Sequence, residues 1–370
     1  MTGPRYTPLA ASLPASVPFV GPEAQERKRG EEFIARLGAN ESVFGPSPNA
    51  IKAMEQAASD TWMYGDPESH DLRNALASHE NCAPENIIIG EGIDGLLGYL
   101  VRLLISDGDA VVTSDGAYPT FNYHVAGFGG TLHKVPYQDD HEDPGELLNK
   151  VNETNAKLVY FANPDNPMGS WHPRATVEDF ARQIPENCVL VLDEAYAQFL
   201  PPEAMPKIDP STPNVIRMRT FSKAYGMAGA RVGYGIGAPD LIKSFDKVRN
   251  HFGMSRISQA GALAALQDNE YLLHVIMQVT DARIRIDEIA TNNGLTALPS
   301  AANFVAVDCG QDGDFARAVL AELIDAGIFV RMPFVAPQDR CIRISCGTAD
   351  DLDSLAHALP KALEAARAKM

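Results

Sequence analysis

From residue 86 onward, short unbroken apolar runs alternate with stretches of helical periodicity. That alternation constrains the fold more than any other property of the chain. Ile87-Ile88-Ile89 leads into a helical pattern over 94–105, and Ala110-Val111-Val112 into one near 121–127. The run at 157–161 is followed by a helical pattern near 176–184, and further apolar runs cover 189–192 and 215–218. A strand that is apolar on both faces needs cover on both sides. The pattern predicts an α/β fold, a mostly parallel central sheet sandwiched by helices. Past residue 250 the pattern changes. A long helical segment (270–292) precedes short strands at 304–307, 328–331 and 341–345, and a last helix runs from 350 to the end. This predicts a smaller α+β domain over 251–370 beside a large domain over 40–250. Residues 1–39 read as an N-terminal arm, without a core of its own, that joins the small domain.

A chain of 370 residues is long enough for this arrangement. No apolar run is long enough to span a bilayer, and the start lacks a basic-then-apolar leader, so a cytoplasmic protein is expected. The cysteines, Cys82, Cys188, Cys309, Cys341 and Cys346, are scattered and odd in number, which predicts reduced thiols rather than a disulfide framework or a metal site. A net charge of −17 argues against nucleic acid and anionic membranes as partners. Any anionic substrate must then be held by locally placed arginines.

Chemistry concentrates where apolar runs end. Ser222-Lys223 follows the run at 214–219, and Arg231 returns eight residues after the lysine, before a glycine-spaced strand. A lysine so placed can form a Schiff base with an aldehyde cofactor, while the serine and arginine hold that cofactor's phosphate. Gly90-Glu91-Gly92-Ile93-Asp94-Gly95 follows a strand and opens a helix. On its own it fits a dinucleotide fingerprint, another phosphate site or a plain tight turn equally well. Asn163-Pro164-Asp165-Asn166-Pro167-Met168-Gly169 is a rigid turn, which turn chemistry alone can explain. Alternatively Asn166 presents its amide to a ligand. Asp193, ending an apolar strand, is either a solvated cap or a partner for a protonated pyridine nitrogen, with Tyr196 near the ring's phenolic oxygen. Tyr118 and Phe121 are core residues, or one of them stacks on a flat ring.

With these segments in this order, the chain resembles the fold-type I pyridoxal-phosphate aminotransferases, and most of all the histidinol-phosphate aminotransferase family. The resemblance runs from about residue 37 to 348. It adds Leu37-Gly38-Ala39-Asn40-Glu41-Ser42, Tyr64-Gly65-Asp66-Pro67 and Ile342-Arg343-Ile344-Ser345-Cys346-Gly347-Thr348 to the segments above. It implies pyridoxal 5'-phosphate as cofactor, with Lys223 as the Schiff-base lysine and proton shuttle. Asp193 would pair with the pyridine nitrogen, Asn166 and Tyr196 would contact the ring's 3-oxygen, and Tyr118 rather than Phe121 would stack on the ring. Backbone groups of Ile93 and Asp94, with Ser222 and Arg231, would bind the phosphate. Tyr64 would reach the phosphate from a partner subunit, so a homodimer with shared sites is implied. Arg343 would clamp the substrate anion, Arg331 is a second candidate contact, and Asn40 would lie beside the substrate.

The activity so implied is ping-pong transfer of an amino group between an amino donor (histidinol phosphate, or an aromatic or other amino acid) and 2-oxoglutarate. A decarboxylase of a phosphorylated amino acid is the alternative within the cofactor class. A dehydrogenase using NAD at residues 90–95 is a remote one, because it leaves Lys223, Arg231 and Asp193 without a joint purpose. A non-catalytic regulator disagrees with the acidic charge. The chain departs from the family at 249–256, where proline is absent and His251 and Arg256 are added. It also carries Ser42, Met168 and Gly65 at positions where other residues are usual. The 249–256 segment is either a repacked helix entry or a changed substrate pocket; none of these departures removes a cofactor contact, and together they bear on the amino donor.

Overall fold

The structure, a computed structural model, describes residues 3–15 and 20–369. Among them the strands are β1 (Ala35–Arg36), β2 (Ile87–Gly90), β3 (Ala110–Ser114), β4 (Thr131–Val135), β5 (Leu158–Ala162), β6 (Val189–Asp193), β7 (Val215–Thr220), β8 (Gly233–Gly237), β9 (Thr296–Ala297), β10 (Phe304–Asp308), β11 (Ile328–Phe329) and β12 (Cys341–Ser345). Seven form one sheet in the order β2–β8–β7–β6–β5–β3–β4. Strands β3 to β7 are mutually parallel. Only β8 is reversed, and it pairs antiparallel with both β7 and β2. The fold is thus the α/β sandwich that the apolar runs require.

Helix starts follow local chemistry. Helix Pro48–Ala58 has proline in its first turn and a Ser47 hydroxyl accepting from the Ala50 amide. Helix Pro144–Thr154 is capped by Asp143 in the same way. Leu96, Leu97 and Leu100 of helix Gly92–Leu104 cover one face of the sheet together with Phe121 and Tyr160. Val177 and Phe180 of helix Arg174–Gln183 cover the other face over Val159 and Leu190. Strand β7 breaks the apolar rule with buried Arg217 and Arg219. Glu194 accepts from both arginines, and Glu80 pairs with Arg219 at 2.9 Å. The two cations are therefore compensated where they lie, as buried charges must be.

A second, antiparallel sheet has the order β12–β10–β9. It is backed by residues of helices Asn269–Asn292, Gly313–Asp325 and Ala349–Lys369, among them Val279, Val319 and Leu355. Strand β1 pairs parallel with β11, which carries residues 35–37 into the same apolar cluster. Helix Arg256–Gln267 instead joins the cluster of Ala50 and Leu76 on the large sheet. The strand expected at 328–331 is shorter than predicted. It ends at Phe329, and Arg331 forms an isolated bridge to Arg343 that joins the two small sheets. All five cysteines are free.

Candidate active site

The C-terminal ends of β3, β5, β6 and β7, the start of helix Gly92–Leu104 and the rim of the small sheet converge on one cavity of about 460 Å³. Open α/β sheets place ligands at that edge because strands and helix dipoles end there. Ile93, Asp94, Tyr118, Asn166, Asp193, Tyr196, Ser222, Lys223 and Arg231 line it from the large sheet. Asn40, Arg331 and Arg343 line it from the opposite side. Tyr64 does not. It is 77% exposed, and its ring packs against Phe252 with centroids 4.8 Å apart. Phe121 is fully buried and stacks on Tyr160, so Tyr118 is the one of the pair that faces the cavity.

One end of the cavity is a cup for an anion. Gly92 has φ +81°, and a Cβ there would lie 2.5 Å from the Arg231 guanidinium. A Cβ on Gly233 would lie 2.6 Å from the Ile93 nitrogen. Two glycines therefore let a cation approach the helix N-terminus closely. Arg231 itself adopts φ +54°, with Nη1 3.4 Å from the Ser222 Oγ. A serine hydroxyl, a guanidinium and free helical amides suit a phosphate dianion. Beside the cup, the Asp94 carboxylate is held by His124 at 2.8 Å.

At the other end, buried Asp193 accepts from the Tyr160 hydroxyl at 2.6 Å and from the Ala195 amide at 2.9 Å. Burial pushes the Asp193 carboxyl up, and these two donors pull it back. An uncompensated carboxylate in such a place favours a cationic partner. The half-buried Lys223 donates from Nζ to the Asn40 carbonyl at 2.9 Å. Burial, then the nearby Arg343 cation, pulls the Lys223 amine down to about 8. Asn40, at φ +55°, also donates to the Tyr196 hydroxyl at 3.2 Å, and its backbone amide donates to the Ser345 Oγ at 3.0 Å. Burial raises the Tyr196 phenol above its ordinary range.

Arg343 closes the cavity. Its Nη1 donates to the Asn166 Oδ1 at 2.6 Å and its Nη2 to the Gly38 carbonyl at 3.2 Å. Its Nε is buried without a partner. Burial, offset in part by the neighbouring Tyr196, pulls the guanidinium down to about 10. A buried cation with an unused donor is arranged for an incoming anion. Arg331 donates to the Val20 carbonyl at 2.6 Å, which ties the arm to the cavity mouth.

Several lining residues escaped the sequence reading. Tyr160 sits inside an apolar run that reads as core, and only its distance to Asp193 reveals it. Gly21, Pro22 and Glu23 of the arm and Met332, Pro333 and Phe334 also border the cavity. Nothing in their local pattern signals this. The unusual 249–256 segment lies away from the cavity of its own chain. Phe252 packs on Tyr64, and Arg256 donates to the Tyr64 carbonyl at 2.8 Å.

A lysine at a strand end, a buried aspartate and a cup suited to an anion, all on one cavity, fit the pyridoxal-phosphate-dependent class. The sequence profile of the aminotransferase class I and II family matches residues 34–359. A histidinol-phosphate aminotransferase of Moorella thermoacetica is 31% identical over 98% of this chain and 94% of its own length. One from Anaeromyxobacter sp. is 34% identical over 86% and 89%. The crystal structure of the Sinorhizobium meliloti histidinol-phosphate aminotransferase, in complex with pyridoxal-5'-phosphate, is 57% identical with a TM-score of 0.94, covering 97% of this chain and 98% of that one. The chain belongs to the class I and II aminotransferases and, within them, to the histidinol-phosphate aminotransferase family. It is a pyridoxal-phosphate-dependent enzyme. The glycine turn that fits three kinds of ligand equally well on sequence therefore opens the helix of an aminotransferase site.

Proposed function

We propose that this enzyme transfers the amino group of histidinol phosphate to 2-oxoglutarate, forming glutamate. The observation that carries the reading is the 57% identity to the Sinorhizobium meliloti enzyme over nearly the whole of both chains. In this reading Arg231, Ser222 and the amides of Ile93 and Asp94 bind the cofactor phosphate. Tyr118 stacks on the ring, Asp193 pairs with its nitrogen, and Asn166 and Tyr196 contact its 3-oxygen. Bound pyridoxal phosphate supplies an electron sink at the carbon that bears the migrating amine. Lys223 would anchor the cofactor, and its Nζ would take the proton from the substrate Cα. An amine pulled down to about 8 keeps a useful neutral fraction near neutral pH, as a general base requires. Arg343 holds the substrate anion, Arg331 is the second anion contact, and Asn40 orients the bound substrate.

The enzyme works as a cytoplasmic homodimer. Tyr64, exposed and away from its own chain's cavity, reaches the partner's phosphate cup, and the 249–256 segment travels with it. The large domain is 40–250 and the small domain 251–370, with helix Arg256–Gln267 riding on the large one and arm 1–39 joining the small one. Among the described residues no helix is long and apolar enough to cross a membrane.

The test is a half-reaction followed by absorption. Cofactor-loaded protein is mixed with one amino donor at a time, without keto acid. Loss of the visible cofactor band at low concentrations of histidinol phosphate, and return of the band on adding 2-oxoglutarate, is the expected result. Response to glutamate alone would keep an aminotransferase and remove histidinol phosphate as its donor.

A further inference from the structure

The segment between β11 and β12, residues 330–340, crosses the cavity mouth and is fastened at both ends. At its start the Arg331 amide donates to the Arg343 carbonyl at 3.2 Å, and the Arg343 amide donates to the Arg331 carbonyl at 2.6 Å. Met332, Pro333 and Phe334 then border the cavity. Val335 meets Gly116, where an added Cβ would lie 3.4 Å from the Val335 Cβ. At the far end stands Arg340. Its Nη2 and Nη1 donate to the two Asp140 carboxylate oxygens at 2.7 and 3.0 Å, and its Nε donates to Asp308 at 2.7 Å. Buried Gln338 adds a donor to Asp140 at 3.3 Å. One guanidinium fork thus joins the end of β10, its own segment and a loop that follows β4 of the large sheet.

The Asp140 backbone is strained where it makes this contact. Gln138 and His141 exchange backbone hydrogen bonds at 2.9 Å, so Asp139 and Asp140 are the two turn residues of a tight hairpin. Both have positive φ, +47° and +62°. A side chain pays for left-handed backbone, and glycine or asparagine is the commoner occupant of such a turn. The Asp140 carbonyl also accepts from the Ser170 Oγ at 2.8 Å, directly after the Asn166 turn. Asp140 therefore touches both walls of the cavity's Arg343 side. Its side chain holds the segment that carries Arg331, and its carbonyl holds the end of the turn that carries Asn166. We propose that the Asp140–Arg340 pair is a strut that positions the mouth segment, and with it Arg331 and the wall from Met332 to Phe334, for an incoming substrate anion. Neither residue lines the cavity. The proposal rests on the reading of this cavity as the site that takes a keto acid.

The probe is 2-oxoglutarate, added to enzyme loaded with pyridoxamine phosphate, with return of the visible band as the signal. No amino donor is present, so failure of histidinol phosphate as donor would not touch this test. Asp140→Asn keeps a side chain suited to positive φ but turns one acceptor into a donor facing the guanidinium. Half-saturation by 2-oxoglutarate should rise about tenfold, as expected if the segment is in place about a tenth as often, while the limiting rate stays within about twofold of wild type. Arg340→Gln should do the same, and the double variant should be no worse than either single one, because both remove one contact. Arg340→Lys keeps the charge without the fork. It should give a smaller rise, and it keeps the test open if Arg340→Gln does not fold. Amide exchange across 331–340 should speed up in Asp140→Asn without change over β5 and β6, and the affinity of apoenzyme for pyridoxal phosphate should be unchanged. An unchanged half-saturation in Asp140→Asn, fully additive losses in the double variant, or a loss confined to the limiting rate would overturn the proposal. If Arg331→Ala leaves half-saturation unchanged while Asp140→Asn raises it, the strut stands and acts through residues 332–334, and the reading of Arg331 as the second anion contact fails instead. No response of the wild-type enzyme to 2-oxoglutarate would remove the keto-acid reading of the cavity, and the strut's role with it.

Discussion

Replacing Lys223 by alanine should lower kcat/KM by about four orders of magnitude or more, because one nitrogen serves as both covalent anchor and proton carrier. The fold should survive. The Lys223 amine makes a single hydrogen bond, to the Asn40 carbonyl, and Asn40 keeps its bonds to Ser345, Tyr196 and Asn303 without it. Cofactor should still enter, held by the phosphate cup and Asp193, but without the spectral signature of a bond to lysine. Turnover at the wild-type rate would remove Lys223 from its central role. The same variant probes the shared site. Co-expressed with Tyr64→Ala, it should give mixed dimers in which one cavity holds both native residues, so activity should rise above that of either parent. No rise at all would mean that Tyr64 serves no second chain.

Arg343→Ala should raise the Michaelis constant for 2-oxoglutarate by about two to three orders of magnitude, since truncating one side of a buried, hydrogen-bonded charge pair costs about 3–4 kcal/mol. The Arg343 Nε has no hydrogen-bond partner among the described residues, and its other side-chain hydrogen bonds go to an amide oxygen and a backbone carbonyl. The constant for the dicarboxylate should suffer far more than cofactor affinity. An unchanged constant would move the clamp to Arg331. Arg256 is a poorer candidate, because it donates to the Tyr64 carbonyl and does not line its own chain's cavity.

The gathering of these side chains at the edge of the large sheet was legible because it obeys a local rule. Asn166, Asp193 and Ser222-Lys223 each follow an apolar run, and parallel strands bring their ends to one edge. The glycines at 92 and 233 mark close approach of backbone and cation, although the motif around Gly92 alone does not say which phosphate. What stayed hidden depends on contacts far apart in the chain. Tyr160 is indistinguishable from a core aromatic until Asp193 is placed beside it. Glu142 sits in a polar loop, where nothing forecasts a carboxyl that is almost wholly buried. Arg217 and Arg219 read as interruptions of a strand until Glu194 and Glu80 are seen to neutralise them. The edge strand β4, with its His133 and Lys134, lacks the apolar signature of its neighbours and was not read as a strand.

The reversal of β8 has a consequence for how the site comes into being. Because β7 and β8 are antiparallel neighbours, Lys223 and Arg231 lie on one short connection, and their separation is eight positions in the chain. The Arg343 side of the cavity is assembled over much greater spans. Arg343 meets Asn166 across 177 positions and Gly38 across 305. Closing a loop costs more entropy as it lengthens, and distant pairings form late. The Lys223–Arg231 segment can therefore form with a local hairpin of the large sheet, whereas the Arg343 side of the cavity exists only after the small sheet has docked. An early, partly folded chain would bring Lys223 and Arg231 together before Arg343 is in place.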